Sequence, residues 1–132
     1  MARVGFKKSY AAGTLDNSAV EALFGTLKTY IQNAGFNVVE NSSNVIEFYP
    51  AGHAAATVDD DVPHWALTLD IGTKAMINCW AIYGTSFSDP NAKKVSMGLF
   101  GNDSYIVGNS PRDVNLWFAA DGIEGWLYGH SI

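Results

Sequence analysis

Residues 65–83, WALTLDIGTKAMINCWAIY, decide the fold of this chain. In the first seven of them, large apolar side chains alternate with small or polar ones, which is the two-residue period of a strand with one buried face. The large apolar residues are Trp65, Leu67, Leu69 and Ile71. The run from Met76 to Tyr83 is apolar on nearly both faces, as in a strand that is covered on both sides. The segment therefore predicts two strands of a well-packed sheet.

One amphipathic helix is predicted upstream, from about Ala19 to Ala34. Ser18 is the expected N-cap, and Glu21 three residues later would complete a capping box. Gly35 would end the helix in the left-handed conformation that glycine adopts at little cost. The apolar residues recur at helical spacing and form one stripe; they are Val20, Leu23, Phe24, Leu27, Ile31 and Ala34. Because the rest of the chain has strand character, this stripe is expected to pack on a sheet.

The other predicted strands are short and separated by residues that favour turns. They cover residues 3–10, 36–40, 45–49, 95–100, 105–107, 114–119 and 125–128. Asp121-Gly122 is a typical hairpin turn between the last two strands. The pattern predicts an α+β fold, with one amphipathic helix packed on a mainly antiparallel, meander-like β-sheet. A length of 132 residues favours a single domain that spans residues 1–132.

Composition restricts the partners that this chain is expected to bind. The net charge of −5 disfavours nucleic acid, since affinity for phosphate backbones comes from Lys and Arg. Charged residues make up 16% of the chain, below the roughly 25% of an average domain. The resulting neutral surface either serves subunit contacts, whose cores are depleted in charge, or is made polar by Asn, Ser, Thr and Gly.

Membrane insertion and secretion are not expected from the sequence. No apolar run approaches the ~20 residues that cross a bilayer, so no membrane partner is predicted. The first residues lack the long apolar segment of a signal peptide, so we expect synthesis in a cytoplasm without export by that route.

The best local candidate for a metal-assisted hydrolase is the acidic run Asp59–Asp61 with His53 and His64 nearby. Carboxylates are suitable ligands for a hard cation. The run lacks the alternating spacing of a calcium loop, however, and no two histidines are one helical turn apart. A solvated acidic loop with surface or partly buried histidines is therefore the preferred interpretation. No metal and no cofactor is predicted.

Other reactive groups show no catalytic arrangement in the sequence. Glu47, Asp70 and Asp121 are carboxylates that no spacing connects, whereas acid–base catalysis needs two such groups held across one pocket. Cys79 lies in an apolar run without an adjacent base, which favours a buried thiol over a nucleophile. We therefore predict no catalytic residue and no enzymatic activity.

The surplus of aromatic residues points instead to a contact surface. Trp65 and Trp80 are expected in the core. Trp117 and Trp126 lie in the C-terminal strands on faces that a small core has difficulty covering, and exposed Trp and Tyr commonly anchor interfaces. The predicted interface residues are Trp117, Trp126, Tyr128, Asn115 and His130.

A carbohydrate- or small-ligand-binding module is the alternative interpretation of the same strands. In that interpretation Trp117 or Trp126 would stack on a sugar ring, and Asn115 or Asp121 would supply hydrogen bonds. A small metal-assisted hydrolase at Asp59–Asp61 and His64 ranks third.

The layout of the whole chain resembles that of small virion structural proteins of tailed bacteriophages. The resemblance depends on the early short helix, on the sheet interrupted by Gly, Asn and Asp, and on the aromatic C-terminal segments DVNLWF (113–118) and GWLY (125–128). It implies a non-enzymatic structural subunit of a homo-oligomeric assembly in the neck, tail, baseplate or capsid decoration. The implied partners are copies of the chain and other virion proteins, and the implied location is the virion.

Overall fold

The computed structural model describes residues 3–52, 64–72, 74–101, 114–122 and 124–131. Within these ranges the chain forms one helix and eight strands. In chain order they are β1 (Val4–Tyr10), α1 (Asn17–Ala34), β2 (Asn37–Asn41), β3 (Val45–Tyr49), β4 (His64–Asp70), β5 (Met76–Tyr83), β6 (Lys93–Gly101), β7 (Val114–Ala120) and β8 (Gly125–Ser131). The predicted α+β class, with one helix on mostly antiparallel sheet, is confirmed. The predicted strand at residues 105–107 lies outside the described residues.

The strands divide into two sheets, which the sequence did not predict. Five consecutive strands form a meander in the order β2-β3-β4-β5-β6, and a three-stranded sheet has the order β1-β7-β8. All neighbouring strands are antiparallel. The smaller sheet pairs the first strand of the chain with the last hairpin, so its formation requires both ends of the sequence.

The ends of α1 confirm one predicted signal and correct another. Gly35 follows the helix with a φ of 95°, the expected left-handed cap. The predicted N-cap Ser18 and its capping box with Glu21 are wrong, because the helix begins earlier, at Asn17. Asp16 is the N-cap: its backbone is extended, and its Oδ1 accepts a hydrogen bond from the Ala19 N–H at 2.9 Å. Within the described ranges, no helix combines the length and apolar character needed to cross a bilayer.

The apolar stripe of α1 joins the two sheets in one core. All six predicted stripe residues are buried, together with Ile46, Leu67 and Ile77 of the larger sheet and Leu116 and Phe118 of the smaller one. Tyr30 contributes an edge-to-face contact with Phe118, with ring centroids 6.3 Å apart. Each fully buried large apolar side chain stabilises the fold by roughly 1.5–3 kcal/mol, so a shared core couples the two sheets through the helix.

The larger sheet is covered on both faces. On the α1 side, Leu67 pairs with Cys79, and both belong to or pack against the main core. On the opposite, outer face, Ala66 pairs with Trp80. A second apolar cluster lies there, comprising Ala66, Ile82 and Ala92 with the partly buried Trp80 and Phe87. This explains the sequence of β5: it is apolar in both directions because both of its faces are packed.

Candidate functional site

Strand β7 divides its side chains between two environments. Leu116, Phe118 and Ala120 are buried in the core on the side of α1. Residues between them, Asn115, Trp117 and Ala119, are half-buried on the opposite face. The alternation places Trp117 on the Asn115 side of its strand, away from the residues that pack on the helix.

The register of β7 with β8 brings the five predicted interface residues to one face. Asn115 pairs with His130, Trp117 with Tyr128, and Ala119 with Trp126. Directly paired residues of an antiparallel ladder lie on the same face. For Trp126, Tyr128 and His130 only this backbone register is described. We call the face of β1-β7-β8 that carries these positions, opposite Leu116 and Phe118, the aromatic face.

Strand β1 contributes polar residues to the aromatic face. Lys7 pairs with Trp117, and its Nζ lies 5.5 Å from the centroid of the indole ring. Such a cation–π contact stabilises an exposed site by roughly 0.5–1 kcal/mol. The Ser9 hydroxyl donates a hydrogen bond to Asn115 Oδ1 at 2.8 Å. Sequence analysis missed Lys7 and Ser9, because their partners lie more than a hundred residues along the chain.

A buried polar cluster occupies the outer face of the larger sheet. His64 Nε2 lies 3.0 Å from Glu47 Oε1, and both residues are only 1% exposed. The Tyr49 ring stacks on the His64 ring with centroids 4.2 Å apart. The expectation that His64 is a surface or partly buried histidine is therefore wrong. Glu47, which no spacing connected to another group, pairs with a residue on the neighbouring strand.

The loop of residues 84–92, called the covering loop, closes over this cluster. The Phe87 N–H donates to Glu47 Oε1 at 3.0 Å, and the Tyr49 hydroxyl donates to the Thr85 carbonyl at 3.3 Å. From β6, Lys94 Nζ donates to the carbonyls of Phe87 and Asp89. Glu47 thus holds the loop and His64 with the same oxygen, which makes it the central residue of the cluster.

Burial and hydrogen bonding shift the pKa values of three described groups, Tyr49, Cys79 and Asp89. Burial, with a smaller contribution from the Glu47 carboxylate, raises the pKa of Tyr49 to about 12. Burial also raises the pKa of the Cys79 thiol to about 11. Hydrogen bonds from the Thr85 hydroxyl and the Asn91 backbone N–H lower the pKa of Asp89. At neutral pH neither the phenol nor the thiol is therefore an anionic nucleophile.

Of the candidate metal ligands, His64 alone belongs to the described part of the chain. Asp59–Asp61 and His53 lie outside the described residues. Among the described residues, no three His, Cys, Asp or Glu side chains converge as metal ligands. His64 Nδ1 is buried and has no hydrogen-bond partner among those residues, whereas Nε2 is engaged by Glu47.

The aromatic face and the buried polar cluster are two candidate sites in the described part of the chain. The first is an outward sheet surface, and the second is enclosed by a loop. The chain matches no protein-family model, no curated protein and no solved structure.

Proposed function

We propose that this chain is a non-enzymatic structural subunit of a homo-oligomeric assembly and that the aromatic face is a subunit contact. The proposal extends to a tailed-phage virion, because the layout of the sequence resembles that of such subunits. Copies of the chain and other virion proteins are its proposed partners.

The observation that carries the proposal is the two-sided use of the small sheet. One side is buried on α1 through Leu116 and Phe118, while the other side carries half-buried Trp117 and the register positions of Trp126 and Tyr128. Interface cores are enriched in Trp and Tyr and depleted in charge. A sheet that places aromatic residues on its second face is suited to further packing.

The buried polar cluster supports a structural role over a catalytic one. Glu47 and His64 are covered by the loop, and Glu47 satisfies a backbone N–H of that loop. A catalytic histidine must reach its substrate, whereas His64 is 1% exposed. The pair therefore acts in this conformation as a hydrogen-bonding support for the covering loop.

The position of Lys7 favours a protein contact over sugar binding on the same face. Stacking on a sugar requires an open ring face, and Lys7 Nζ lies over one face of the Trp117 ring. In a protein interface the same ammonium group can remain at a polar rim while the ring is buried. Sugar binding by the aromatic face is the alternative that the experiment below also tests.

The size of the aromatic face shows how much of a contact it can supply. Its three strands have seven residues each. With strands about 4.8 Å apart and a rise of about 3.4 Å per residue, the face measures roughly 14 Å by 24 Å, or about 340 Å². A standard interface buries about 800 Å² per partner. The aromatic face can thus form the centre of a contact, and neighbouring surface must contribute the rest.

The test is the native mass, measured by light scattering behind a sizing column across a tenfold range of concentration. We expect a defined oligomer for the wild type and a shift to smaller species for Trp117→Ala. Ile71→Ala is the matched control, because Ile71 is a large apolar side chain that is 60% exposed outside the aromatic face. The unfolding midpoint of each variant is measured under the same conditions.

The proposal fails if Trp117→Ala assembles as the wild type does while remaining folded. A monomer at every concentration, combined with quenching of tryptophan fluorescence by sugars, would instead favour the carbohydrate-binding module.

A further inference from the structure

Strand β6 forms one edge of the five-stranded sheet and carries exposed apolar side chains on both of its faces. In the described part of the chain it pairs only with β5. Val95 pairs with Ala81 and lies on the α1 side, whereas Leu99 pairs with Asn78 and lies on the outer face. Val95 is 43% exposed and Leu99 is 50% exposed. A layer packed on one face would bury only one of these side chains, so the open surface is the edge itself.

The neighbouring strand β5 shows what the edge of β6 lacks. Ile77 on the α1 side of β5 and Ile82 on its outer face are both buried, and β5 has a strand on each side. Within the described ranges, the backbone N–H and C=O groups on the free side of β6 have no strand partner. An exposed edge of this kind is a template for a further strand, which would contact apolar side chains on both faces at once.

A bulge in β6 determines which kind of strand suits this edge. Ser96 pairs with Trp80 and Gly98 with Cys79, so Met97 is an extra residue that has no partner on β5. Met97 is 59% exposed. A bulge bends its strand and hinders pairing with the edge of another sheet. A peptide segment that belongs to no sheet can follow the bend, so it suits this edge better than a strand of a second copy.

The two lysines at the start of β6 have different surroundings. Lys94 Nζ is engaged, because it donates to the carbonyls of Phe87 and Asp89. Lys93 is exposed, and among the described residues its ammonium group has no hydrogen-bond or ion-pair partner. A lysine on an edge strand discourages accidental pairing. A partner that brings a carboxylate to this point turns the same charge into an attraction.

The groups around Lys93 are suited to a carboxylate. An open surface cavity of about 480 Å³, within the usual size range of ligand sites, is lined by Tyr83, Asn91, Lys93 and Val95. Tyr83 pairs with Lys93 across the ladder, so the two side chains lie on the same face. An ammonium group, a phenol hydroxyl and a carboxamide can each donate a hydrogen bond to an anionic oxygen. Val95 adds an apolar wall beside them.

We infer that the β6 edge binds an extended, largely apolar peptide segment of another chain as an additional strand, with a carboxylate of that segment at Lys93. All neighbouring strands of this sheet are antiparallel. A strand that continues this pattern brings its C-terminal end to the start of β6. The carboxylate is therefore the C-terminal carboxyl group of the segment or an acidic side chain near that end. The site is separate from the aromatic face and does not depend on the proposed function.

The experiment uses the full chain and the peptide TVITVTE, which offers apolar residues to both faces and has glutamate at its C-terminal end. Main-chain hydrogen bonds supply much of the affinity when a peptide adds a strand to an edge, so a peptide of this general pattern is an adequate probe. Hydrogen exchange is followed by mass spectrometry at peptide concentrations up to about 1 mM. We expect the exchange of the amides in residues 95–99 to slow and to saturate.

The controls change the peptide and the protein separately. The peptide TVIPVTE lacks one central N–H and should bind roughly tenfold more weakly. Lys93→Ala should weaken binding of TVITVTE about threefold, as for the loss of an exposed ion pair, whereas Lys8→Ala, at an exposed lysine of β1, should bind as the wild type does. A C-terminal amide and a glutamine in place of the glutamate distinguish the two carboxylates. The one that contacts Lys93 makes no difference to binding in Lys93→Ala.

Each contrary outcome overturns a stated part of the inference. Equal binding of TVITVTE and TVIPVTE would overturn strand addition. Undiminished binding in Lys93→Ala would overturn the carboxylate contact and with it the antiparallel orientation. No slowing of exchange in β6 at about 1 mM peptide would overturn the whole inference, and a lower native mass of Leu99→Asp would then assign the edge to a second copy. Trp117→Ala should bind the peptide normally, so failure of this site is distinguishable from failure of the proposed function.

Discussion

Replacing Glu47 tests whether the buried polar cluster holds the covering loop. Glu47→Ala leaves the Phe87 N–H and the His64 Nε2 group without the oxygen that each contacts at 3.0 Å. Each unsatisfied buried polar group costs about 1–3 kcal/mol, and this substitution leaves two such groups. We therefore expect the free energy of unfolding to fall by about 4 kcal/mol. Glu47→Gln keeps an acceptor at the same position and should lose only about 1 kcal/mol.

Urea unfolding followed by circular dichroism gives the free energy of unfolding by linear extrapolation. Hydrogen exchange reports the loop directly, because the Phe87 amide should lose protection in Glu47→Ala and keep it in Glu47→Gln. Glu21→Ala, at an exposed carboxylate on α1, is the control and should stay within about 0.5 kcal/mol of the wild type. The reasoning is refuted if Glu47→Ala loses less than about 1 kcal/mol, or if the alanine and glutamine variants are equally unstable.

Three further predictions concern single groups. The pKa of Tyr49 is raised from its ordinary value of 10.0 to about 12, so the folded state holds the phenol proton more tightly than the unfolded chain. The contribution of the protonated phenol to stability is complete below pH 10 and disappears as the pH rises through 12. The thermal unfolding midpoint should therefore fall less at alkaline pH in Tyr49→Phe than in the wild type. The pKa of the partly buried Cys79 is raised from 9.0 to about 11. Alkylation by iodoacetamide at pH 8 should therefore be roughly 100-fold slower in the folded protein than in urea, and equal rates would contradict the raised pKa. Asp16→Ala should cost about 1 kcal/mol as the loss of an N-cap, whereas Ser18→Ala should change the free energy of unfolding by less than about 0.5 kcal/mol; the reverse order in chemical denaturation would restore Ser18 as the cap.

Sequence reasoning succeeded where the signal is local. The stripe of α1 repeats with the helical period, and Gly35 ends the helix as expected. Strands β3 and β5 begin and end at the predicted residues. Sequence reasoning failed for the N-cap of α1. Asp16 and Ser18 are both suitable capping residues, and only the starting residue of the helix decides between them.

The candidate sites were predictable to different degrees. Alternation along β7 was sufficient to separate Trp117 from the core residues Leu116 and Phe118. The buried polar cluster was not predicted, because Phe87 reaches Glu47 across 40 residues of sequence. One signal in the sequence could have indicated the buried polar cluster. Because β5 is apolar on both faces, the outer face of its sheet is expected to be covered. Polar residues on that face of neighbouring strands must then be buried and paired.

The pairing of β1 with β7 has a consequence for the order in which the molecule is made. Val4 lies opposite Ala120, so the smaller sheet forms only after nearly the whole chain is available. Contacts between such distant residues carry a large loop-closure cost and form slowly, whereas the meander from β2 to β6 can pair strand by strand. The aromatic face is therefore a late product of folding. A ribosome-bound or truncated chain without β7 therefore lacks the surface that we propose as a subunit contact.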